Sequence, residues 1–68
     1  MKNVLAENIK FYRLLKGIYQ KDLAKKLNVS VQTISHWETG YAEPSIPQLI
    51  ELANLFDTTI DELVGRTF

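Results

Sequence analysis

Apolar residues recur at helical spacing in short segments along the 68-residue chain, and each segment ends at a residue that favours stopping a helix. In the first segment Leu5, Ile9 and Tyr12 are spaced i, i+4, i+7, which places them on one face of a helix from about Val4 to Lys16. Gly17 follows directly, and glycine commonly ends helices because it adopts left-handed conformations. No stretch alternates apolar and polar residues long enough to predict a strand, so an all-α fold is expected.

Four further helices are predicted from the same spacing and from residues that cap helix ends. They run from about Gln20 to Leu27, from after Ser30 to Thr39, from Ser45 to about Phe56, and from about Thr59 to Val64. Two of them open with the spacing of a capping box, at Ser45–Gln48 and Thr59–Glu62. The inward face of the fourth helix is expected to carry Ile46, Leu49, Ala53 and Phe56. Together these signals predict five short helices around one core.

The length limits the chain to one small domain, residues 1–68, which buries only about 60% of its unfolded surface. Because cysteine is absent, disulfides and cysteine-ligated zinc are excluded, and dimerisation is the expected further source of stability. No apolar run approaches the roughly 18 residues of a membrane span, and Met1 to Leu15 lacks the continuous apolar stretch of a signal peptide. A cytoplasmic location is therefore expected.

The net charge is zero, but the charges are unevenly distributed. Residues 1–40 carry seven lysines and arginines against three acidic residues, a net charge of +4, and residues 41–68 carry one arginine against five acidic residues, a net charge of −4. Such asymmetry either marks a side that faces a polyanion or reflects ordinary solvated helix faces. Charge alone does not separate these two interpretations.

The segment from Gln20 to Thr39 predicts two short helices joined by a three-residue turn, Asn28-Val29-Ser30. Ala24 is small enough to let the two helices cross closely, and Val29 can fill the turn. This layout is the helix-turn-helix motif, whose second helix enters the major groove of DNA.

The motifs continue on both sides of that segment, in IKFYRLLKGIYQKDLAKKLNVS, TISHWETG, the PS after the loop, and LIELANLFDTTIDEL. Over about residues 5–63 the chain thereby resembles the phage repressor family of helix-turn-helix domains, of the Cro/cI or Xre type. Asn28 and Asp57 stand where this family usually has glycine, and Tyr19 replaces its usual Ser or Thr cap, which can loosen the second helix by about 1 kcal/mol. The resemblance implies a compact five-helix, lambda-repressor-like domain. It also implies a sequence-specific regulator of transcription, namely a dimeric repressor on a palindromic operator, with no cofactor or metal.

The resemblance also assigns roles to residues in and around the third helix. Those expected to face base edges are Val31, Gln32, Ser35 and His36. Those expected near phosphates are Gln20, Ser30, Thr33, Thr39 and Tyr41. Gln32 is the strongest candidate, because glutamine can pair bidentately with adenine. Two alternatives stay open: Ser30 as a helix cap alone, and His36 as an ordinary surface histidine. Arg13 and Glu38 are expected to form an ion pair that joins the first helix to the end of the third, and the alternative for Arg13 is an ordinary basic surface residue.

A second apolar stripe, formed by Val4, Phe11 and Leu15 with Leu14 beside it, has no place in this scheme. It is either covered by neighbouring helices or a contact surface, which would suit a protein-binding module such as an antitoxin.

The residues expected at a dimer interface are Leu55, Ile60, Val64 and Phe68. An enzyme is excluded, since the single histidine and the lack of cysteine leave no nucleophile with a base at usable spacing.

Overall fold

Five α-helices make up the computed structural model, which describes residues 3–66. They are α1 (Val4–Leu15), α2 (Gln20–Leu27), α3 (Val31–Thr39), α4 (Ile46–Leu55) and α5 (Ile60–Val64). Helix α1 packs against α3 and α5, α2 packs against α3, and α4 packs against α5. The all-α expectation is confirmed, and each helix lies within one residue of its predicted limits.

The predicted capping residues set the helix ends. The Ser45 hydroxyl accepts from the Gln48 N–H, and the Gln48 side chain accepts from the Ser45 N–H at 2.7 Å, which completes a capping box. Tyr19 supplies no side-chain cap, and its own N–H instead donates to the Asp22 carboxylate at 3.3 Å. The start of α2 therefore has half of a capping arrangement, in line with the weak cap predicted there.

Left-handed residues end the helices where the sequence predicts them. Asn28 has φ 58° and Asp57 has φ 56°, while Gly40 at the end of α3 has φ 81°. Asparagine and aspartate tolerate this region better than most residues with a side chain. The turns after α2 and α4 therefore use Asn28 and Asp57 in place of glycine.

Among the described residues, the main hydrophobic cluster of the core holds nine buried residues: Ile9, Leu23, Ala24, Leu27, Ile34, Trp37, Leu52, Phe56 and Leu63. One expectation for the fourth helix is wrong. Ile46 is 72% exposed, whereas Leu52, which the predicted face omits, is fully buried. Because Ser45 is the N-cap, Ile46 lies in the first turn of α4 and projects beyond the end of the core. Leu52 falls between Leu49 and Phe56 on the inward side.

A side chain on α1 holds the C-terminal end of α5. The Asn8 Nδ2 donates to the backbone oxygens of Glu62 at 3.2 Å and Leu63 at 3.0 Å. These carbonyls belong to the last turn of the helix, where that of Glu62 also accepts the Gly65 N–H at 3.2 Å. Among the described residues the longest helix has 12 residues, well short of the roughly 20 that a membrane span requires.

Candidate nucleic-acid interface

Helix α3 is anchored on one side and open on the other. Ile34 and Trp37 are buried against the core, and helical geometry places Gln32 and His36 on the opposite side, one turn apart. Gln32 is exposed and His36 is half-buried. The open face of α3, meaning Gln32, Ser35, His36 and Thr39, therefore projects from a rigid base.

The remaining predicted contact residues lie at the edges of this face. Val31, at the first position of α3, is 46% exposed. The Ser30 hydroxyl accepts the Thr33 N–H at 3.1 Å and lies 2.9 Å from the Thr33 hydroxyl. Ser30 thus caps α3, as one of its two interpretations expected, and both hydroxyls stand beside the N-terminus of the helix. Free N–H groups at a helix N-terminus favour an anion such as phosphate.

A buried ion pair fixes α3 against α1. The Arg13 Nε donates to Glu38 Oε2 at 2.6 Å, and the guanidinium also donates to Oε1 at 3.2 Å. The two side chains retain only 10% and 3% of their exposure. Arg13 makes a further bond to the Ile18 carbonyl oxygen at 2.8 Å, so its charge is held by a carboxylate and a backbone dipole. A bidentate pair of this kind restricts how α3 can rotate.

Gln20 joins this network, which the sequence did not suggest. Its side-chain amide donates to Glu38 Oε1 at 3.0 Å, so Glu38 holds residues from both α1 and α2. One amide hydrogen of Gln20 is thereby committed within the protein. Gln20 is half-buried at the start of α2. No local pattern reveals the contact, since 18 residues separate the two positions.

The loop after α3 brings Tyr41 back to His36. Their ring centroids are 4.7 Å apart at 48°, and Tyr41 is 81% exposed. The Thr39 hydroxyl donates to the His36 carbonyl oxygen at 3.3 Å. From the sequence, His36, Thr39 and Tyr41 were each assigned to the DNA-facing surface without any contact among them. In the structure, Thr39 and Tyr41 both contact His36.

Two surfaces outside α3 were also predicted to make contacts, one on α1 and one near α5. The outer α1 face, meaning Val4, Phe11, Leu14 and Leu15, is between 42% and 65% exposed, so neighbouring helices do not cover it. Among the residues predicted for a dimer interface, Ile60 is 37% exposed, Leu55 and Val64 are half-buried, and Phe68 lies outside the described residues. Leu55 also packs against the core, so little of it is available to a partner.

Within residues 3–66 no pocket is found, and no three His, Asp or Glu side chains group together as metal ligands. Lys21, Lys25 and Lys26 are exposed on α2, the helix that packs against α3. These lysines give the surface of α2 a positive potential.

The chain is similar to known proteins both in sequence and in structure. A helix-turn-helix family model matches residues 9–63. The HTH-type transcriptional regulator ImmR of Bacillus subtilis is 34% identical over 62 residues, which cover 91% of this chain and 49% of ImmR. The uncharacterized HTH-type transcriptional regulator MJ0272 of Methanocaldococcus jannaschii is 43% identical over 63 residues, which cover 93% of this chain and 89% of that protein. The chain therefore spans about half of the length of ImmR and most of the length of MJ0272.

Two solved structures match closely. A transcriptional regulator from Listeria innocua has a TM-score of 0.89 and 34% identity, with coverage of 100% of this chain and 64% of that one. The P22 c2 repressor, solved with a synthetic operator, has a TM-score of 0.87 and 29% identity, with coverage of 97% and 100%. The similarity extends over all five helices.

Proposed function

The chain belongs to the helix-turn-helix family, and from that membership we propose that it is a transcriptional regulator that binds double-stranded DNA sequence-specifically. The observation that carries the proposal is the open face of α3, a row of polar side chains on a helix whose other side is locked to α1 and α2. Its likeness to a repressor solved on an operator supports the same function.

Base recognition is assigned to α3. Its nine residues span about 14 Å, and the major groove, about 12 Å wide, admits one helix. Gln32 pairs with the N6 and N7 edge of an adenine, and Val31 packs on a thymine methyl group. His36 and Ser35 donate to or accept from the next bases along the groove, since both side chains can do either.

Backbone contacts are assigned to residues around α3. Gln20 uses its second amide hydrogen for a phosphate at the N-terminus of α2, while Ser30 and Thr33 border the N-terminus of α3. Thr39 and Tyr41 approach the backbone from the loop after α3. The exposed lysines of α2 attract the DNA at longer range. These contacts fix the register of α3, and the base contacts set the sequence preference.

We further propose that the protein acts as a homodimer that represses transcription by occupying a palindromic operator. Each subunit reads one half-site, with half-site centres about 34–36 Å apart. Ile60 and Val64, together with Leu55 and Phe68, are the residues proposed at the dimer contact. The function requires no cofactor, metal, small-molecule substrate or catalytic step, and it requires the protein to reside with the DNA in the cytoplasm.

The exposure of the outer α1 face supports a second candidate function, binding of a protein partner such as a toxin or a regulator's antagonist. The variant Phe11→Glu/Leu15→Glu tests it. A stoichiometric partner that binds the wild type and not the variant, while DNA affinity stays equal, supports this function. Equal recovery of the partner by both proteins contradicts it.

The test of the main proposal is the variant Gln32→Ala on a selected operator. Loss of a bidentate base contact should cost about 1–3 kcal/mol and relax the preference at one base pair. Asn54→Ala, an exposed change on α4 and not on the proposed reading helix, is the matched control and should leave binding unchanged. Equal weakening of Gln32→Ala on every sequence would show that Gln32 does not read a base.

A further inference from the structure

Tyr41 is an exposed aromatic residue that nevertheless has a specific ring contact. Four-fifths of its surface is open, yet its ring centroid lies 4.7 Å from that of His36, with the planes tilted by 48°. Aromatic pairs favour tilted and offset arrangements at centroid separations of about 4.5–7 Å. Since the tyrosine buries so little, the contact does not serve the core.

The backbone, rather than the tyrosine side chain, places residue 41 beside His36. The carbonyl oxygen of His36 accepts the Tyr41 N–H at 2.9 Å and the Ala42 N–H at 3.2 Å. Gly40 between them has φ 81° and turns the chain back over the last turn of α3. A change of side chain at position 41 should therefore keep the loop in place and alter only the contact with the imidazole.

A histidine that reads a base reads it better when a contact of this kind fixes the orientation of its ring. Hydrogen bonds weaken steeply as their angle departs from linear, and the ring torsion of histidine is broad, with little intrinsic preference. His36 is half-buried and lies one helical turn beyond Gln32 on the open face of α3. A ring that packs on one side of the imidazole limits this torsion and keeps one edge directed outward.

We propose that Tyr41 is a positioning residue for base recognition: its ring holds the His36 imidazole in the orientation that reads the DNA, so that Tyr41 determines sequence specificity without contacting a base. This role rests on the proposed DNA-binding function. It differs from the phosphate contact assigned to Tyr41 above, because it requires the aromatic ring and not the hydroxyl. The two roles of the same side chain can therefore be separated by substitution.

The test compares Tyr41→Phe, Tyr41→Leu, His36→Ala and the double variant on the wild-type operator and on all its single-base changes. Tyr41→Phe keeps the ring and should keep the base preferences, with at most a uniform loss of affinity from the missing hydroxyl. Tyr41→Leu should relax the preference at the base pair read by His36 by about fivefold or more, the lower end of what a good base contact contributes. In the His36→Ala background, Tyr41→Leu should have no further effect on that preference, because coupled residues are not additive.

A measurement without DNA checks the ring contact itself. The ring protons of His36 in the NMR spectrum should be displaced by the adjacent aromatic ring in the wild type and in Tyr41→Phe, and should return towards free-histidine positions in Tyr41→Leu. Helical circular dichroism should be equal in all three, since position 41 is exposed. Equal His36 shifts in the wild type and Tyr41→Leu would overturn the proposal.

The DNA experiment distinguishes two failures. If the wild type prefers one sequence and Tyr41→Leu keeps that preference, or weakens all sequences equally, the positioning role is wrong and the DNA-binding function stands. If the wild type shows no sequence preference at all, the proposed function fails, and the positioning role fails with it.

Discussion

Removing Glu38 should destabilise the protein more than removing both members of its ion pair. Glu38→Ala deletes the bonds of 2.6 and 3.2 Å from Arg13 and the bond of 3.0 Å from Gln20. The guanidinium, whose side chain is only 10% exposed, then retains the Ile18 carbonyl oxygen but no counter-charge from residues 3–66. Breaking one side of a buried pair costs about 3–5 kcal/mol, because the remaining charge is left in a poorly solvated site.

That cost is large for a chain of this size. At roughly 0.05–0.15 kcal/mol per residue, 68 residues have a free energy of unfolding of about 3–10 kcal/mol. Glu38→Ala should therefore remove about 30% or more of the free energy of unfolding. Arg13→Met/Glu38→Leu removes both charges and fills similar volume, so it should be more stable than Glu38→Ala by about 2 kcal/mol or more.

Urea unfolding followed by circular dichroism measures these differences. Glu38→Gln provides an intermediate point, since its amide oxygen still accepts from Arg13, and it keeps the series measurable if the alanine variant is largely unfolded. A loss below about 1 kcal/mol for Glu38→Ala, or a double variant no more stable than the single one, would refute the reasoning from burial.

Two further changes test the fold. Leu52→Ala should lower the free energy of unfolding by about 2–5 kcal/mol because Leu52 is fully buried, whereas Ile46→Ala, at a position 72% exposed, should change it by less than about 1 kcal/mol in the same urea assay. Asn8→Ala should cost about 1–2 kcal/mol through the loss of two hydrogen bonds to α5, and hydrogen exchange should become faster in α5 than in α2; equal exchange in both helices would contradict this.

The limits of the helices were predictable because local chemistry decides them. Ser30 and Ser45 cap helices through bonds to residues three positions later, and Asn28 and Asp57 adopt the left-handed conformation their side chains tolerate. These signals lie within a few residues of each helix end. Ile46 was wrongly predicted to face the core because the spacing of apolar residues does not show where along a helix the core ends.

The contacts that shape the candidate interface were harder to predict. Asn8 reaches α5 across more than fifty residues, and Gln20 meets Glu38 across 18, so neither contact leaves a local pattern. His36 and Tyr41 are close in sequence, but their contact depends on the left-handed turn at Gly40 and on how far the chain returns over α3. The resemblance to a family supplied the positions of the site residues and the Arg13–Glu38 pair, but not the contact of Gln20 with Glu38 or of Tyr41 with His36.

Sequence-specific reading of DNA by a dimer is best tested by selection from a random double-stranded DNA library, with sequencing of the bound fraction at low and moderate salt. The wild type should enrich an inverted repeat whose half-site centres are about one helical turn apart, and Gln32→Ala should lose preference at one position in each half-site. Retention that falls with salt and enriches no sequence would reduce the interaction to non-specific attraction by the lysines and contradict the assignment of α3 as a reading helix.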